Sequence, residues 1–430
     1  TLSGTVDNLM AKERAVRITE SVKGVRAVID EMKVKPVQMS DAKIAEEVEH
    51  ALATDPATDS WEISVRVKDG IVTLNGTVES WAEKDVAEYV AKGVKGIRKV
   101  KNEIDVNYKT DRADWEIKQD IQKRMEASIW LDEGLIEVNV KDGKVSLKGT
   151  VGSALEKRIA AEKALVGGVR SVDEQIEVKW WARDQMRRSE KYVQKSDEEI
   201  KEAVKDAFLY DPRVFSYKLD VDVDDAVVTL TGIVDNLRAK RRAEEDAKNT
   251  IGVYRVKNHI KVRPAKIFSD SAITENVEHA LVIDPIVERY EITVMTINGR
   301  VYLNGRVDTD FEKDHAEEVA SRQTGVLSIG NNIIVEETWE PKSDWAIKED
   351  INDEYFWSLF VDGDDINVTV EDGHVNLTGT VDSKYEAQLA VHNAYEGGAR
   401  SVTSDLDVMN GRGEFPEDIY QYPYGIPYYY

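Results

Sequence analysis

One short phrase recurs along the chain at a nearly fixed spacing: an alternating apolar strand that ends at a glycine and precedes an alanine-rich helical pattern. A clear copy is Val-Thr-Leu-Asn-Gly-Thr-Val at residues 72–78. The spacings between its glycines are 72, 73, 83, 73 and 74 residues, for Gly4, Gly76, Gly149, Gly232, Gly305 and Gly379. A fixed period is typical of tandem modules, so we expect units of roughly 70 residues, each with its own small core.

The order of elements within a module follows from the complete copy at 40–108. Ser40 can cap a first helix, and the alternation of Ile63, Val65 and Val67 predicts a half-buried strand. Asp69-Gly70 predicts a type I′ hairpin turn into the strand with Gly76. A second helix and a third strand follow. The pattern predicts an α+β fold: a tandem array of small αββαβ modules, each a three-stranded sheet with two helices on one face.

The same order predicts the organisation of the whole chain. The boundaries are a partial module at 1–36, complete modules at 40–108, 112–180, 196–264, 270–337 and 343–410, a helical linker at 181–195, and an extended tail at 411–430. The hairpin at Asp224-Asp225-Ala226 has the weakest turn signal, because it lacks the usual glycine.

Residues 1–36 contain only the second half of a module: one strand, one helix and the last strand. Alone, the strand at 1–6 would present an open edge. Two explanations remain open. We expect residues similar to 196–227 to precede Thr1 in the gene product, and the alternative is that another chain supplies the missing helix and strand.

A second period of 228–230 residues indicates that a block of three modules was duplicated. Val-Glu-His-Ala-Leu at 48–52 recurs at 277–281, and Asp114-Trp115 recurs as Asp344-Trp345. Matching positions in the two blocks can therefore be compared residue by residue.

Composition excludes several classes of function. The chain has 430 residues and a formal net charge of −24, which disfavours binding to nucleic acid. It has no cysteine, so disulfides and thiolate metal sites are excluded. No apolar run approaches the ~20 residues of a membrane-spanning helix.

With these motifs in view, each module resembles a BON domain, the small module of osmotically inducible periplasmic and outer-membrane-associated bacterial proteins. The matching features are Asp55-Pro56, the hairpin through Asp69-Gly70 to Gly76, and Gly96-Ile97 before the third strand. The resemblance implies binding modules of the envelope without a catalytic triad. Lipid surfaces and small ions are the ligands that it suggests. Members of the family usually have one or two modules, so six modules in tandem favour a structural role over a housekeeping role in the periplasm.

Candidate chemistry is sparse. The six histidines match no zinc-binding spacing, and an exposed structural role is expected for each. Acidic groups at Asp220, Asp222 and Asp224 and in the loop at 362–365 could attract calcium, but a solvated face is favoured because the twelve-residue loop pattern is absent. No nucleophile has a positioned base, so we expect no enzyme activity, no cofactor and no bound metal.

Aromatic residues give the clearer prediction. Tryptophan and tyrosine are enriched at interfaces. The candidate interface residues lie at the linkers and in the tail: Trp180, Trp181, Trp339, Phe415, Tyr420, Tyr422, Tyr424, Tyr428, Tyr429 and Tyr430. The tail, which contains three prolines, is expected to pack on a neighbouring subunit.

Two functions fit these observations. The favoured one is a non-enzymatic structural protein, extracellular or periplasmic, whose modules associate into a homo-oligomer or filament. The alternative is a periplasmic BON-domain protein that binds an envelope lipid, a glycan or ions in connection with envelope stress. The first predicts a polymer in native material, and the second a monomer that responds to a ligand.

Overall fold

A computed structural model describes most of the chain. The described residues are 1–55, 57–58, 63–108, 112–128, 130–179, 181–182, 195–211, 213–214, 218–264, 266–288, 290–335, 342–358, 360–381 and 384–408. Most of the predicted linker, from 183 to 194, and the tail at 411–430 lie outside them.

The elements of the first block fall into three modules. Module 1 contains β1 (Leu2–Val6), α1 (Leu9–Glu20) and β2 (Asp30–Val34). Module 2 contains α2 (Asp41–Thr54), β3 (Ile63–Lys68), β4 (Ile71–Val78), α3 (Trp81–Lys92) and β5 (Lys99–Val106). Module 3 contains α4 (Asp114–Glu126), a 3-10 turn (Glu133–Leu135), β6 (Ile136–Lys141), β7 (Lys144–Val151), α5 (Ala154–Lys163) and β8 (Ser171–Val178).

The second block repeats this order. Module 4 contains α6 (Asp197–Tyr210), β9 (Leu219–Asp224), β10 (Val227–Val234), α7 (Leu237–Lys248), β11 (Arg255–Asn258) and β12 (Lys261–Val262). Module 5 contains α8 (Asp270–Ile283), β13 (Thr293–Ile297), β14 (Arg300–Val307), α9 (Asp310–Ser321) and β15 (Ser328–Val335). Module 6 contains α10 (Asp344–Trp357), a 3-10 turn (Gly363–Asp365), β16 (Ile366–Glu371), β17 (His374–Val381), α11 (Lys384–Glu396) and β18 (Ser401–Val408).

Each complete module has one mixed sheet, so the predicted α+β fold is confirmed. In module 2, β4 is central: it pairs antiparallel with β3 and parallel with β5. The parallel pairing requires a crossover, which α3 supplies. Module 4 differs only in that its third strand is split into β11 and β12, both of which pair with β10.

The core of each complete module is centred on one leucine of the middle strand. These leucines are 0% exposed: Leu74, Leu147, Leu230, Leu303 and Leu377. Full burial of a leucine stabilises a small domain by roughly 1.5–3 kcal/mol. The equivalent Leu2 of module 1 is only half-buried, because β1 and β2 form a two-stranded sheet without the hairpin strand.

A carboxylate at the first position of each first helix holds the hairpin turn of its module. In module 2, Asp41 accepts hydrogen bonds from the backbone N–H groups of Asp69 and Gly70, at 2.8 and 2.9 Å. The same pair of bonds recurs in the other complete modules, at Asp114, Asp197, Asp270 and Asp344. These backbone bonds lower the pKa of Asp41 and of Asp114.

The hairpin that lacks glycine nevertheless forms. Asp225 and Ala226 have φ of 49° and 61°, the left-handed region that a type I′ turn needs. Asp197 accepts from both of their N–H groups, at 3.1 and 2.9 Å. These two hydrogen bonds help to hold the strained alanine in place.

The three modules of the first block contact one another pairwise. Modules 1 and 2 are joined by the ion pair Glu13–Lys92, at 2.5 Å. Modules 1 and 3 are joined by the ion pair Glu20–Arg158, at 2.7 Å. Modules 2 and 3 are joined by a hydrogen bond of 2.7 Å from the indole of Trp81 to the carbonyl oxygen of Val169. In the second block, Arg241 and Glu317 form the ion pair between modules 4 and 5.

Each module of the first block also contacts two modules of the second. Module 1 contacts modules 5 and 6, through Asn8–Pro285 and Lys23–Trp357. Module 2 contacts modules 4 and 5, through Asp55–Arg238 and Lys95–Glu288. Module 3 contacts modules 4 and 6, through Ala127–Ile251 and Trp130–Phe360. This is the contact pattern of two three-module layers stacked face to face in a staggered arrangement.

The contacts between the layers follow a local twofold relation. The isolated β-bridge Val22–Ser358 joins modules 1 and 6, and Ser128–Thr250 joins modules 3 and 4. Val22 of the first block is equivalent to Thr250 of the second, and Ser128 is equivalent to Ser358, so the two bridges join equivalent positions with the blocks exchanged. Reciprocal contacts of this kind define an isologous interface. The duplicated halves therefore pack as two subunits of a dimer would.

Candidate functional site

The local twofold relation brings two equivalent histidines together. His50 of α2 and His279 of α8 make an edge-to-face contact, with ring centroids 4.7 Å apart. His279 Nε2 lies 3.1 Å from the Glu47 carboxylate. Burial lowers the pKa of His50, and the neighbouring His279 lowers it further. His50 is exposed and the side chain of His279 is 39% exposed, in line with the prediction from the sequence, and the two rings also contact each other between the layers.

Beside this histidine pair, the Asp-Pro motif places a buried carboxylate in modules 2, 4 and 5. Asp55, Asp211 and Asp284 are 3%, 7% and 2% exposed. Each accepts a hydrogen bond from the backbone N–H two residues further on, at 2.8–2.9 Å. A buried carboxylate is costly without a cation or hydrogen-bond donors, so each of the three needs such a partner.

The three carboxylates find different cationic or hydrogen-bonding partners. Asp55 contacts Arg238, which is contributed by module 4 across the layer interface. Asp211 pairs with Arg213 and Arg242 of its own module. The motif is thus repeated, whereas the neutralising residue is not.

Asp284 takes its partner from its own module. The His315 ring nitrogen lies 2.8 Å from its carboxylate, and His315 is 2% exposed. The prediction of an exposed role for His315 was therefore wrong. His315 packs against the buried carboxylate of Asp284. The equivalent position in module 2 is Val86.

A further charged group extends this region. Arg322 and Glu318 of module 5 form an ion pair, and both contact the hydroxyl group of Tyr89 from module 2. Burial would raise the pKa of Glu318, but the charges of Arg322 and His315 lower it to about 2. Glu318 therefore remains a carboxylate over the physiological range.

The space between modules 2 and 5 is small. A cavity of about 40 Å³ is lined by both histidines of the pair, by Asp55 and Asp284, and by Arg322 and Gln323, among others. That volume holds about one or two water molecules and no organic ligand. The charged region between the layers is therefore an interface that holds modules together.

In the first block, the second helices of modules 1, 2 and 3 form another charged contact. Besides the two ion pairs between modules, Asp85 of α3 lies near Glu88 and Glu162. Burial, and then the charges of these two glutamates, raise the pKa of Asp85 to about 7. Near pH 7 this carboxyl group is therefore partly protonated.

The predicted structural glycines can be examined at two positions. At Gly149, with φ of 139°, an added Cβ would overlap the carbonyl oxygen of Leu135 in the paired strand region. At Gly305 the neighbouring atom would be Glu291 O at 2.7 Å, again a backbone oxygen before the paired strand rather than a helix atom. Nothing lies within 4 Å of the same point at Gly4, where module 1 has no hairpin strand.

Most of the predicted interface residues cannot be placed. Trp180, Trp339 and the tail residues Phe415, Tyr420, Tyr422, Tyr424, Tyr428, Tyr429 and Tyr430 lie outside the described residues. Trp181 is described and is 43% exposed.

Other aromatic residues make contacts between modules. Trp81 Nε1 donates a hydrogen bond to Val169 O at 2.7 Å. Trp130 is 1% exposed and packs edge to face on Phe360, with centroids 4.7 Å apart. The 230-residue offset makes Trp130 and Phe360 equivalent, and that equivalence was the signal in the sequence that could have identified the pair.

Two other tryptophans are exposed to solvent. Trp115 and Trp345 are 67% and 73% exposed, at the second position of α4 and α10. Phe356 and Trp357, at the end of α10, are 59% and 52% exposed. In the first block, α4 packs against α6 of module 4, whereas the elements described for module 1 begin at β1.

Within the described parts of the chain, no three histidine, aspartate or glutamate side chains are grouped so that they could hold a metal ion. None of the helices described combines the length and hydropathy needed to cross a membrane.

Comparison with known proteins identifies the family. The BON domain model matches residues 1–36, 40–108, 113–179, 196–264, 269–337 and 343–410. These matches cover well over half of the chain, which therefore belongs to the BON domain family.

Two relatives are similar over a part of their length. Osmotically-inducible protein Y of Escherichia coli (strain K12) is 35% identical over 111 residues, which are 24% of this chain and 55% of that protein. The outer membrane lipoprotein DolP of Haemophilus influenzae is 34% identical over 106 residues, which are 24% of this chain and 54% of that protein. The chain thus spans about half the length of each relative.

Among solved structures, CdsD, a structural protein of the type III secretion system of Chlamydia trachomatis, is similar over 52% of this chain and 94% of that chain. The sequence identity is 14% and the TM-score is 0.15, so this similarity supports no inference about function.

Proposed function

We propose that this protein is a non-enzymatic structural protein of the cell envelope or exterior, and that its six BON modules form one unit of a larger homopolymer. The observation that supports this most is that the modules contact one another through much of the structure. Every module of the first block contacts two modules of the second, and the contacts are buried ion pairs, backbone bridges and aromatic pairs. The modules bind one another, which is what a structural protomer requires.

The charged residues support the same proposal. Asp55, Asp211 and Asp284 each have a basic partner or a histidine in contact, so they act as structural ions. The cavity between modules 2 and 5 is too small for a lipid or glycan. Membership of the family and similarity to a relative that is an outer membrane lipoprotein support placement in the envelope.

A concentration series in sedimentation velocity tests the proposal. We expect species much larger than the 48.5 kDa chain, growing with protein concentration. A single species of 48.5 kDa at every concentration would contradict it. If that monomer cosedimented with lipid vesicles, or shifted with glycans or divalent ions, the alternative of an envelope binding protein would be favoured.

A further inference from the structure

The first helices of the modules pair across the two layers. Helix α2 of module 2 packs against α8 of module 5, and α4 of module 3 packs against α6 of module 4. Modules 6 and 1 are also in contact, through the Ser358–Val22 bridge that is equivalent to Ser128–Thr250 between modules 3 and 4. The elements described for module 1 begin at β1, so α10 of module 6 has no described first helix opposite it.

One position of the first helix meets its counterpart in both described pairs. It lies ten residues after the N-cap residue of each helix. Between α2 and α8 the two residues are His50 and His279, whose ring centroids are 4.7 Å apart. Between α4 and α6 they are Lys123 and Asp206. Burial raises the pKa of Asp206, and the positive charge of Lys123 opposes that rise, so the two groups lie close enough to interact.

At this position α10 has Asp353, so the charge that α4 presents with Lys123 is reversed. The next residue changes in the same way, from Arg124 of α4 to Glu354 of α10, and both carboxylates of α10 are exposed. Burial raises the pKa of Glu354, and the charges of neighbouring carboxylates raise it further. Because Lys123 faces Asp206 in the equivalent pair, a helix packed on α10 is favoured by a positive charge opposite Asp353.

The end of α10 also presents two aromatic side chains, Phe356 and Trp357, which are 59% and 52% exposed. Ala127 is the counterpart of Trp357 in α4 and is half-buried beside module 4. The carbonyl oxygen of Ala127 accepts a hydrogen bond of 3.0 Å from the N–H of Ile251, and that of Trp357 accepts one of 3.0 Å from Lys23. The backbone contact is the same in both places, so a helix placed like α6 would lie beside both rings.

Module 1 is open on the side where such a helix would lie. In module 4, the apolar face of α6 packs over Ala239 and Ala243 of α7, which are both 0% exposed. The equivalent residues of α1, Ala11 and Ala15, are only half-buried. Among the described strands β1 pairs with β2 alone, and its other edge is the one that β10 uses to pair with β9. A helix and a strand placed like α6 and β9 would close this core and this edge.

We propose that a helix and a strand of the same polypeptide, ahead of Thr1, occupy this open side, and that the helix carries lysine or arginine opposite Asp353. In each complete module the first helix and strand directly precede the central strand, which indicates the same source here. The contact position lies 23 residues before the equivalent of Thr1 in every complete module, as His50 lies before Thr73. The basic residue is therefore expected 23 residues before Thr1. This contact lies within one molecule, so it goes beyond the proposed polymer and does not depend on it.

A fusion experiment tests the occupant and its charge. Three chains are compared: residues 1–430, the same chain with a copy of residues 196–228 fused ahead of Thr1, and that fusion with Asp206→Lys in the copy. Residue 228 directly precedes the equivalent of Thr1, so the copy enters in register. Both fusions should slow the hydrogen exchange of the β1 amides, because the strand edge becomes paired. The lysine fusion should protect them about threefold more than the aspartate fusion, since it replaces a like-charge pair with an ion pair.

A matched control repeats both fusions with Asp353→Lys in the chain, which introduces the charge that Lys123 has in α4. The aspartate fusion should then be the better protected, because the preference follows the sign of the charge at this position. Exchange of β1 that is unchanged in both fusions would overturn a helix and strand as the occupant. The same order of protection with Asp353 and with Asp353→Lys would overturn the charged contact.

Peptide sequencing of the native protein by mass spectrometry tests the source. A segment continuous with Thr1 that carries lysine or arginine 23 residues before it is the expected result. An acidic or apolar residue at that place would overturn the charged contact. A native polypeptide that begins at Thr1, with a second polypeptide cross-linked to the peptide that contains Asp353, would overturn the same-chain source.

Discussion

The ion pair between Asp55 and Arg238 is the contact most open to a direct test. Its residues are 3% and 5% exposed and come from modules 2 and 4 of opposite layers. The position equivalent to Arg238 in the first block is Met10, so Arg238→Met introduces a residue that the fold already accepts there. The substitution leaves the Asp55 carboxylate buried without its main cation.

Removing one partner of a buried ion pair usually costs about 3–5 kcal/mol. Asp55 keeps the backbone N–H of Ala57 at 2.9 Å, and Arg322 lies close enough to interact with it. We therefore expect a smaller loss than that, about 2–3 kcal/mol in the free energy of unfolding of the layered unit. Because the entropy of unfolding grows with the size of the cooperative unit, a loss of that size in a unit of 430 residues lowers the thermal midpoint by about 2–3 °C.

Differential scanning calorimetry of the wild type, Arg238→Met and the double variant Arg238→Met with Asp55→Asn measures this effect. The double variant removes the stranded charge and should recover most of the lost stability. A midpoint within about 1 °C of wild type for the single variant would show that the pair does not hold the layers together. Equal losses in the single and double variants would refute the argument from the buried charge.

Three further outcomes are expected. Because the pKa of Asp85 in the folded protein is raised to about 7 from 3.8, its favourable contribution is present below pH about 4 and is lost as pH rises through about 7. Asp85→Asn should therefore stabilise the protein by about 2 kcal/mol at pH 8, half of the fully buried value, and by little at pH 4, as urea unfolding at the two values would measure. Gly149→Ala should destabilise module 3 more than Gly4→Ala destabilises module 1. The two glycines have similar φ, 139° and 129°, but only Gly149 has a backbone oxygen facing the position of the added Cβ. Equal losses in melting temperature would contradict this. Deletion of residues 415–430 should weaken assembly in light scattering while helicity stays unchanged, and normal assembly of the truncated chain would refute a role for the tail.

The modules could be predicted from the sequence because their determinants are local and repeated. The strand alternation of β3, the Asp-Gly turn and the glycine of β4 lie within 15 residues of one another. The pattern recurs in the other complete modules, with Asn298-Gly299 as the turn of module 5 and Asp225-Ala226 as that of module 4. The aspartate that begins each first helix also recurs, 28 residues before the turn that it holds, and the sequence contained this signal too.

The packing of the two layers could not be predicted in the same way. Asp55 and Arg238 are 183 residues apart, and the duplicated half has Asp284 and His315 in a different arrangement. A contact that occurs once leaves no periodic trace. For the same reason, the burial of His315 was missed: only the three-dimensional packing of α9 shows that it faces a carboxylate.

Electron microscopy of the native material tests the central claim most directly, which is that six BON modules form one layered unit that repeats in a polymer. We expect filaments whose axial repeat is one two-layer unit of six modules. Isolated particles of the size of a single 48.5 kDa chain, with no filaments in the native preparation, would contradict the account.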